Sequence, residues 1–131
     1  MNPARNGDEV ADLFARASAF HRSGDLARAQ AGYKKLLKKR PNHFDALYMF
    51  GLSEHQSNNS LAAERLLKRA LLVEPRSVAA GYARAVILDT LQREAEALAC
   101  YDDLLALKPD YVDAHLKRGR LLSRLGRFAD A

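Results

Sequence analysis

An all-α fold, an α-solenoid of antiparallel helix pairs, is what this sequence predicts, on three observations. Pro41, Pro75 and Pro109 recur at an interval of 34 residues. Small residues keep that interval over four copies, at Ala17, Gly51, Ala85 and Gly119. Two further positions repeat between them, Ala29/Ala63/Ala97 and Tyr33/Leu67/Tyr101. A fixed period of this length marks an array of one supersecondary unit, each copy burying its apolar face against its neighbours. The predicted units are residues 10–43, 44–77 and 78–111, with a fourth over 112–131 that breaks off part-way. Together they make an array over 8–131 behind a flexible N-terminus at 1–7.

Each element follows from local pattern. Residues 1–7 hold Pro, Gly and two Asn without periodicity, so a frayed start is expected. Asp8 is the expected cap of the first helix, where a carboxylate accepts an orphan N–H and suits the dipole. Val10, Leu13, Phe14, Ala17 and Phe20 then form one apolar face at spacings of three and four. Ser23-Gly24 ends that helix, and Asp25 opens its partner, with Leu26, Ala29, Tyr33, Leu36 and Leu37 inward until Pro41. In the second unit Asn42 is the expected cap, with Asp45 three residues on. Leu47, Phe50 and Gly51 face inward there, Gly51 allowing close helix approach, and Asn58 replaces Gly24 at the turn. Leu66, Leu67, Ala70 and Leu71 complete the pair. The third unit is capped by Ser77 and turns at Leu91-Gln92-Arg93, where the lack of Gly predicts a tighter or shifted turn. The fourth opens at Asp110 and runs past His115, Gly119 and Leu122 to Gly126.

The ending GRFADA begins a helix too short to stand alone, since about 12–15 residues are needed. The natural chain is therefore expected to continue past Ala131. The face of Leu121, Leu122 and Leu125 is expected to lack its cover and to be hidden by self-association through that C-terminal helix or by a crystal contact.

Composition excludes several classes. At 131 residues and 48% hydrophobic content the chain holds one domain's worth of core. No stretch approaches the ~18 uninterrupted apolar residues of a membrane span, and no apolar h-region follows Met1, so neither a membrane partner nor a secretory signal is expected. A single cysteine, Cys100, forbids an internal disulfide and fits a reducing compartment, so the expected location is cytoplasmic. The net charge of +5 is uneven: residues 10–43 carry eight Lys/Arg against two Asp/Glu, and residues 78–111 carry three against six. That is not the uniform basic face of a nucleic-acid binder, and no nucleic-acid partner is expected. The run Lys34, Lys35, Lys38, Lys39, Arg40 reads as a solvated helix face; the alternative is a patch for phosphates or an acidic partner.

With these residues in view, the pattern resembles the tetratricopeptide repeat. The resemblance spans residues 8–131 and rests on the small residues, the alanines, Tyr33 and Tyr101, and the three prolines. It departs at Arg16, Arg84 and Arg118, where the family has Leu, at Gly81 in place of a large residue, and at Glu54 in place of an aromatic. It implies stacked helix pairs in a right-handed superhelix whose first helices line a groove for an extended or helical peptide. The implied groove residues are Phe14, Ser18 and His21 in the first unit and Tyr48, Leu52 and His55 in the second. Tyr82, Val86 and Asp89 follow in the third, then Leu116 and Arg120 in the fourth. An aromatic row suits an apolar or amphipathic ligand segment; the competing reading is that these rings pack between neighbouring units.

Two known groove chemistries of the family are missing. The places of the chaperone-binding carboxylate clamp hold Phe14, Ser18, Met49, Ala79 and Ala83. Those of the asparagine ladder of sugar-transferring enzymes hold Ala15, Met49, Ala83 and Lys117. There is no glycine-rich phosphate loop, GxSxG, HExxH or CxxC. His21 and His55 at equivalent places, about 10 Å apart by helix spacing, cannot share an ion whose ligand bonds are near 2 Å. No metal and no cofactor are therefore expected. Cys100, with no cation beside it in sequence, reads as a structural thiol. The expected function is a non-catalytic scaffold binding a protein or peptide partner. The alternative is an N-terminal regulatory or substrate-recruiting array of a larger enzyme such as a bacterial glycosyltransferase.

Overall fold

The computed structural model describes residues 3–126, and side chains from Gly7 onward. Seven helices and no strand occur among the described residues: α1 Pro3–Arg22, α2 Leu26–Lys39, α3 Phe44–Gln56, α4 Ser60–Val73, α5 Val78–Thr90, α6 Glu94–Leu107 and α7 Val112–Arg124. They form two compact units that divide between Glu74 and Pro75.

In the first unit α1 packs on α2, α2 on α3, and α3 on α4, with α1 also touching α3. Its centre is Tyr33, fully buried, with ring centroids 6.2 Å from Phe50 and 6.1 Å from both Phe14 and His21. Leu36, Leu37, Ala46, Leu47, Leu66 and Ala70 complete the core. Small residues set the helix separation. A Cβ added at Gly32 would lie 2.9 Å from Ala17 Cβ, and one at Gly51 would lie 3.0 Å from Leu67 Cγ. In the second unit α5 packs on α6 and α6 on α7, with α5 also touching α7. Ala85, Leu88, Ala97, Tyr101, Leu104, Ala114 and Leu121 form that core.

One turn is used four times. Gly24, Asn58, Gln92 and Gly126 stand 34 residues apart, and all have positive φ, at 86°, 63°, 59° and 71°. The first three close with one pattern, the next residue's N–H reaching back five residues: Asp25 to Phe20, Asn59 to Glu54, Arg93 to Leu88, at 2.9, 2.8 and 2.9 Å. This is the bond that satisfies an orphan carbonyl at a helix end. The Leu91-Gln92-Arg93 turn is therefore neither tighter nor shifted. Gln92 takes the left-handed conformation instead, because the closing bond requires it.

Cap geometry confirms two expectations and corrects three. Arg28 N–H donates to Asp25 Oδ1 at 3.2 Å, and Ala80 N–H to Ser77 Oγ at 3.2 Å. α3 is capped by His43, whose Nδ1 accepts from Ala46 N–H at 3.1 Å, and not by Asn42; Asn42 lies inside the turn closed by His43 N–H on Arg40 C=O. The residue before α7 is Tyr111, not Asp110. α1 starts at Pro3, so residues 3–7 are helical and Asp8 lies within the helix rather than at its cap. Proline at a first helical position loses no hydrogen bond and arrives with helical φ.

On α7, Leu121 is fully buried against the core, while Leu122 and Leu125 are half-buried. The face expected to lack its cover is thus partly covered already. The GRFADA ending lies, beyond Gly126, outside the described residues.

Candidate functional site

On the first unit the candidate surface is built by α1 and α3. Phe14 turns toward the core, its centroid 5.6 Å from His43 and 6.1 Å from Tyr33. His21 is held at both ring nitrogens: the Tyr33 hydroxyl donates to Nδ1 at 3.2 Å, and Nε2–H donates to Gln56 Oε1 at 2.6 Å. An amide oxygen only accepts, which places the proton on Nε2. Burial raises the Tyr33 pKa, while the Ser18 hydroxyl and Arg22 oppose the shift. Ser18 Oγ is itself buried and, although close to that phenol, makes no hydrogen bond of good geometry among the described residues. Tyr48 stacks on Phe44 with centroids 6.0 Å apart and planes 5° apart. Leu52 is half-buried, and His55 Nδ1 lies 3.4 Å from Ser60 Oγ.

On the second unit the surface is built by α5 and α7. Tyr82 stacks on Tyr111 at 5.2 Å and meets Tyr101 edge-on at 6.5 Å. Burial raises its pKa, Asp113 and Tyr111 add to the shift, and Arg120 opposes it. Val86 is half-buried. Asp89 is ion-paired with Arg124, whose pKa is raised first by that hydrogen bond. Leu116, in the place equivalent to Tyr82, is 55% exposed, and Arg120 is exposed.

The structure therefore sorts the eleven sequence-derived residues. His21 and Asp89 stand at the same place in their units, and each bonds a residue 35 positions later, Gln56 and Arg124. These bonds lock the first helix of one repeat to the first helix of the next. Phe14 and Tyr82 are anchored by ring contacts. Ser18 has its hydroxyl buried. Within the first unit Tyr48 and Leu52 leave apolar surface accessible beside His55, and within the second Val86 and Leu116 do so beside Arg120. What sequence reasoning missed is the interval of 35, one period plus one, which pairs a side chain with the next repeat's following residue. Arg84 was missed as well: its Nη1 lies 3.5 Å from Cys100 Sγ, sixteen residues away, so the thiol does have a cationic neighbour.

Surface chemistry elsewhere is plain. No helix among the described residues is long and apolar enough to cross a membrane. No group of three or more His, Cys, Asp or Glu able to hold a metal ion occurs among them.

A family model described as tetratricopeptide repeat matches residues 14–60, 48–110 and 92–131. Among curated proteins, an N-terminal acetyltransferase A complex subunit-like protein of Schizosaccharomyces pombe is 24% identical over 121 residues, 92% of this chain and 17% of that protein. The chain thus spans about a sixth of that relative's length. Among solved structures, the first TPR of Spaghetti (RPAP3), bound to an HSP90 peptide, superposes with a TM-score of 0.86 at 18% identity, covering 91% of this chain and 94% of that one. A mutant O-GlcNAc transferase of Thermobaculum terrenum gives a TM-score of 0.80 at 25% identity, over 93% of this chain and 23% of the enzyme.

Proposed function

We propose that this chain, which belongs to the tetratricopeptide repeat family, is a non-catalytic protein–protein interaction module that takes an apolar or amphipathic peptide segment on the first helices of its repeats. The observation that carries the reading is the accessible apolar side chains on first helices in each unit taken by itself: Tyr48 and Leu52 on α3 in the first, Val86 on α5 and Leu116 on α7 in the second, with Leu116 55% exposed. Half-buried apolar side chains on a rigid helix supply binding area at little ordering cost. The fold likeness to a domain bound to an HSP90 peptide supports peptide capture in general. It does not extend to that ligand, because the places of a carboxylate clamp hold Phe14, Ser18, Met49, Ala79 and Ala83. A peptide ending in a free carboxylate is therefore expected to bind no better than its amide.

The test is selection of binders from a random peptide display library, wild type against Leu52→Glu and Leu116→Glu. Both residues are accessible, so these changes spare the core, whereas Tyr82→Ala would remove the stack on Tyr111. Peptides retained by wild type and lost by either variant support the reading. Equal retention by all three proteins defeats it.

A second reading is favoured by the match to the transferase, of which this chain covers 23%. In it the array recruits substrate for a catalytic domain in the same polypeptide. Binding by this segment alone, followed by modification of the same peptides by the longer protein, separates that reading from a pure scaffold. Of the three leucines expected to drive self-association through α7, Leu121 is buried within its own unit, and Leu122 and Leu125 are half-buried.

A further inference from the structure

Two helices of this chain carry exposed faces of identical layout and opposite charge. On α2 the exposed residues Ala27, Arg28, Ala31, Lys34, Lys35 and Lys38 follow one straight stripe, at steps of one, three, three, one and three. On α6 the same steps give Ala95, Glu96, Ala99, Asp102, Asp103 and Ala106, all exposed. Residues at such spacing share one side of a helix. Each stripe lies 68 residues from its counterpart, so Arg28, Lys34 and Lys35 hold the repeat places of Glu96, Asp102 and Asp103.

The stripes are only partly neutralised from within. α2 contains no acidic residue, and its cations meet Asp25, paired with Arg28, and Glu9, paired with Lys39 at 3.6 Å. Lys34, Lys35 and Lys38 form no ion pair among the described residues. α6 contains no basic residue; Glu96 is paired with Arg93 and Asp102 with Arg118, while Asp103 forms no ion pair among the described residues. The alanines between the charges let another helix approach closely. Aligned on Ala31 and Ala99, a parallel pairing sets Arg28, Lys34 and Lys35 against Glu96, Asp102 and Asp103. An antiparallel pairing sets Arg28 against Asp102 and Lys34 against Glu96. Opposite signs meet in either sense, whereas α2 against α2, or α6 against α6, sets like charges together.

We infer that a second copy of this chain is the partner of the α2 face: the basic stripe of one copy docks on the acidic stripe of α6 of another. The contact is heterologous, since neither face matches itself. It is independent of the apolar surface on the first helices, so it stands or falls apart from the peptide-binding reading. Both stripes are solvated, which makes the association electrostatic and screened by salt, with a Debye length that shrinks from about 30 Å at 0.01 M to about 3 Å at 1 M.

Sedimentation equilibrium of the 131-residue chain tests this at low and high sodium chloride. Self-association is expected at low salt, weakened at least tenfold in half-molar salt. Lys34→Glu/Lys35→Glu removes the net positive charge of the α2 stripe, and Glu96→Lys/Asp103→Lys turns the α6 stripe from net negative to net positive while leaving the Asp102–Arg118 pair intact. Each variant alone is expected to be monomeric, and an equimolar mixture to associate, because the unaltered basic stripe on α2 of one variant then meets the unaltered acidic stripe on α6 of the other. Circular dichroism confirms that both variants remain helical; should either unfold, Lys35→Ala, with an expected loss of several-fold in affinity, replaces it. A wild type that stays monomeric at low salt overturns the inference and leaves the α2 face to an unrelated anionic ligand. Variants that self-associate as tightly as wild type, or a mixture that fails to associate, overturn it equally.

Discussion

Replacing Gln92 with glycine should stabilise this protein, although nothing in the core changes. Gln92 has φ of 59° at the turn between α5 and α6, where Gly24 and Gly126 serve at the equivalent places. Left-handed backbone costs an L-residue about 1–2 kcal/mol through Cβ crowding against the following carbonyl. Removing the Cβ recovers that, but a new glycine loosens the unfolded chain by about 0.4–1 kcal/mol. The Gln92 side chain is exposed, so little else enters. The net gain is about 0.5–1 kcal/mol, a rise in melting temperature of roughly 2–6 °C for a domain of this size. The reciprocal change Gly24→Gln should lose a similar amount; an added Cβ there meets no atom within 4 Å, leaving backbone strain as the cause. Urea unfolding followed by circular dichroism measures both, and hydrogen exchange of the α5 and α6 amides localises the gain if the repeats open separately. Gln92→Gly that is neutral or destabilising, with Gly24→Gln harmless, would refute the reasoning.

Three further outcomes are expected. Tyr33 and Tyr101 occupy one repeat place, yet their hydroxyls differ: Tyr33 donates to His21, while Tyr101 is buried without a hydrogen-bond partner among the described residues. Tyr33→Phe should therefore cost about 1 kcal/mol, and Tyr101→Phe should be neutral or stabilising by about 1 kcal/mol, in the same unfolding assay; equal losses at both would contradict the assignment. Gly32→Ala should destabilise by about 1–2 kcal/mol, since its Cβ would lie 2.9 Å from Ala17 Cβ, whereas Gly119→Ala meets nothing within 4 Å and should gain up to about 1 kcal/mol of helix propensity. Burial raises the phenols of both Tyr33 and Tyr101 above the ordinary value of 10.0. Their contribution to stability is complete below that value and is lost as pH climbs beyond it, because the unfolded chain releases its phenolic protons first. Phenolate absorbance of wild type against Tyr33→Phe and Tyr101→Phe should place the missing titration of each variant above that ordinary value; a missing step at the ordinary value would count against it.

The repeat frame was legible because proline, small residues and aromatics recur at a strict interval, and each does one local job. The boundaries were less so. Asn42 and His43 can both cap a helix, and only the turn closed by His43 N–H on Arg40 C=O places the second of them at the end. Pro3 marked the start of α1, but Asn and Gly beside it imitate a loop. Gln92 gave no sign of positive φ, since its side chain neither favours nor forbids the turn; the bond from Arg93 N–H to Leu88 C=O that closes it requires that φ. For the candidate surface, position in the repeat separated the first helices from the second. It did not separate His21 and Asp89, held by cross-repeat bonds, from Leu52 and Leu116, which remain accessible. That distinction depends on side-chain reach between helices, which a one-dimensional period does not contain.

The bonds at an interval of 35 bear on how such a gene can change. If residues 78–111 were moved ahead of 44–77, every proline and small residue would still fall in register. The polar partners would not: His21 would be set beside Thr90, Asp89 beside Gln56, and His55 beside Arg124. One ion pair would be lost, and the Tyr33–His21–Gln56 chain would lose its last member. Recombination between the copies would thus be silent in the apolar frame and recorded in these few side chains.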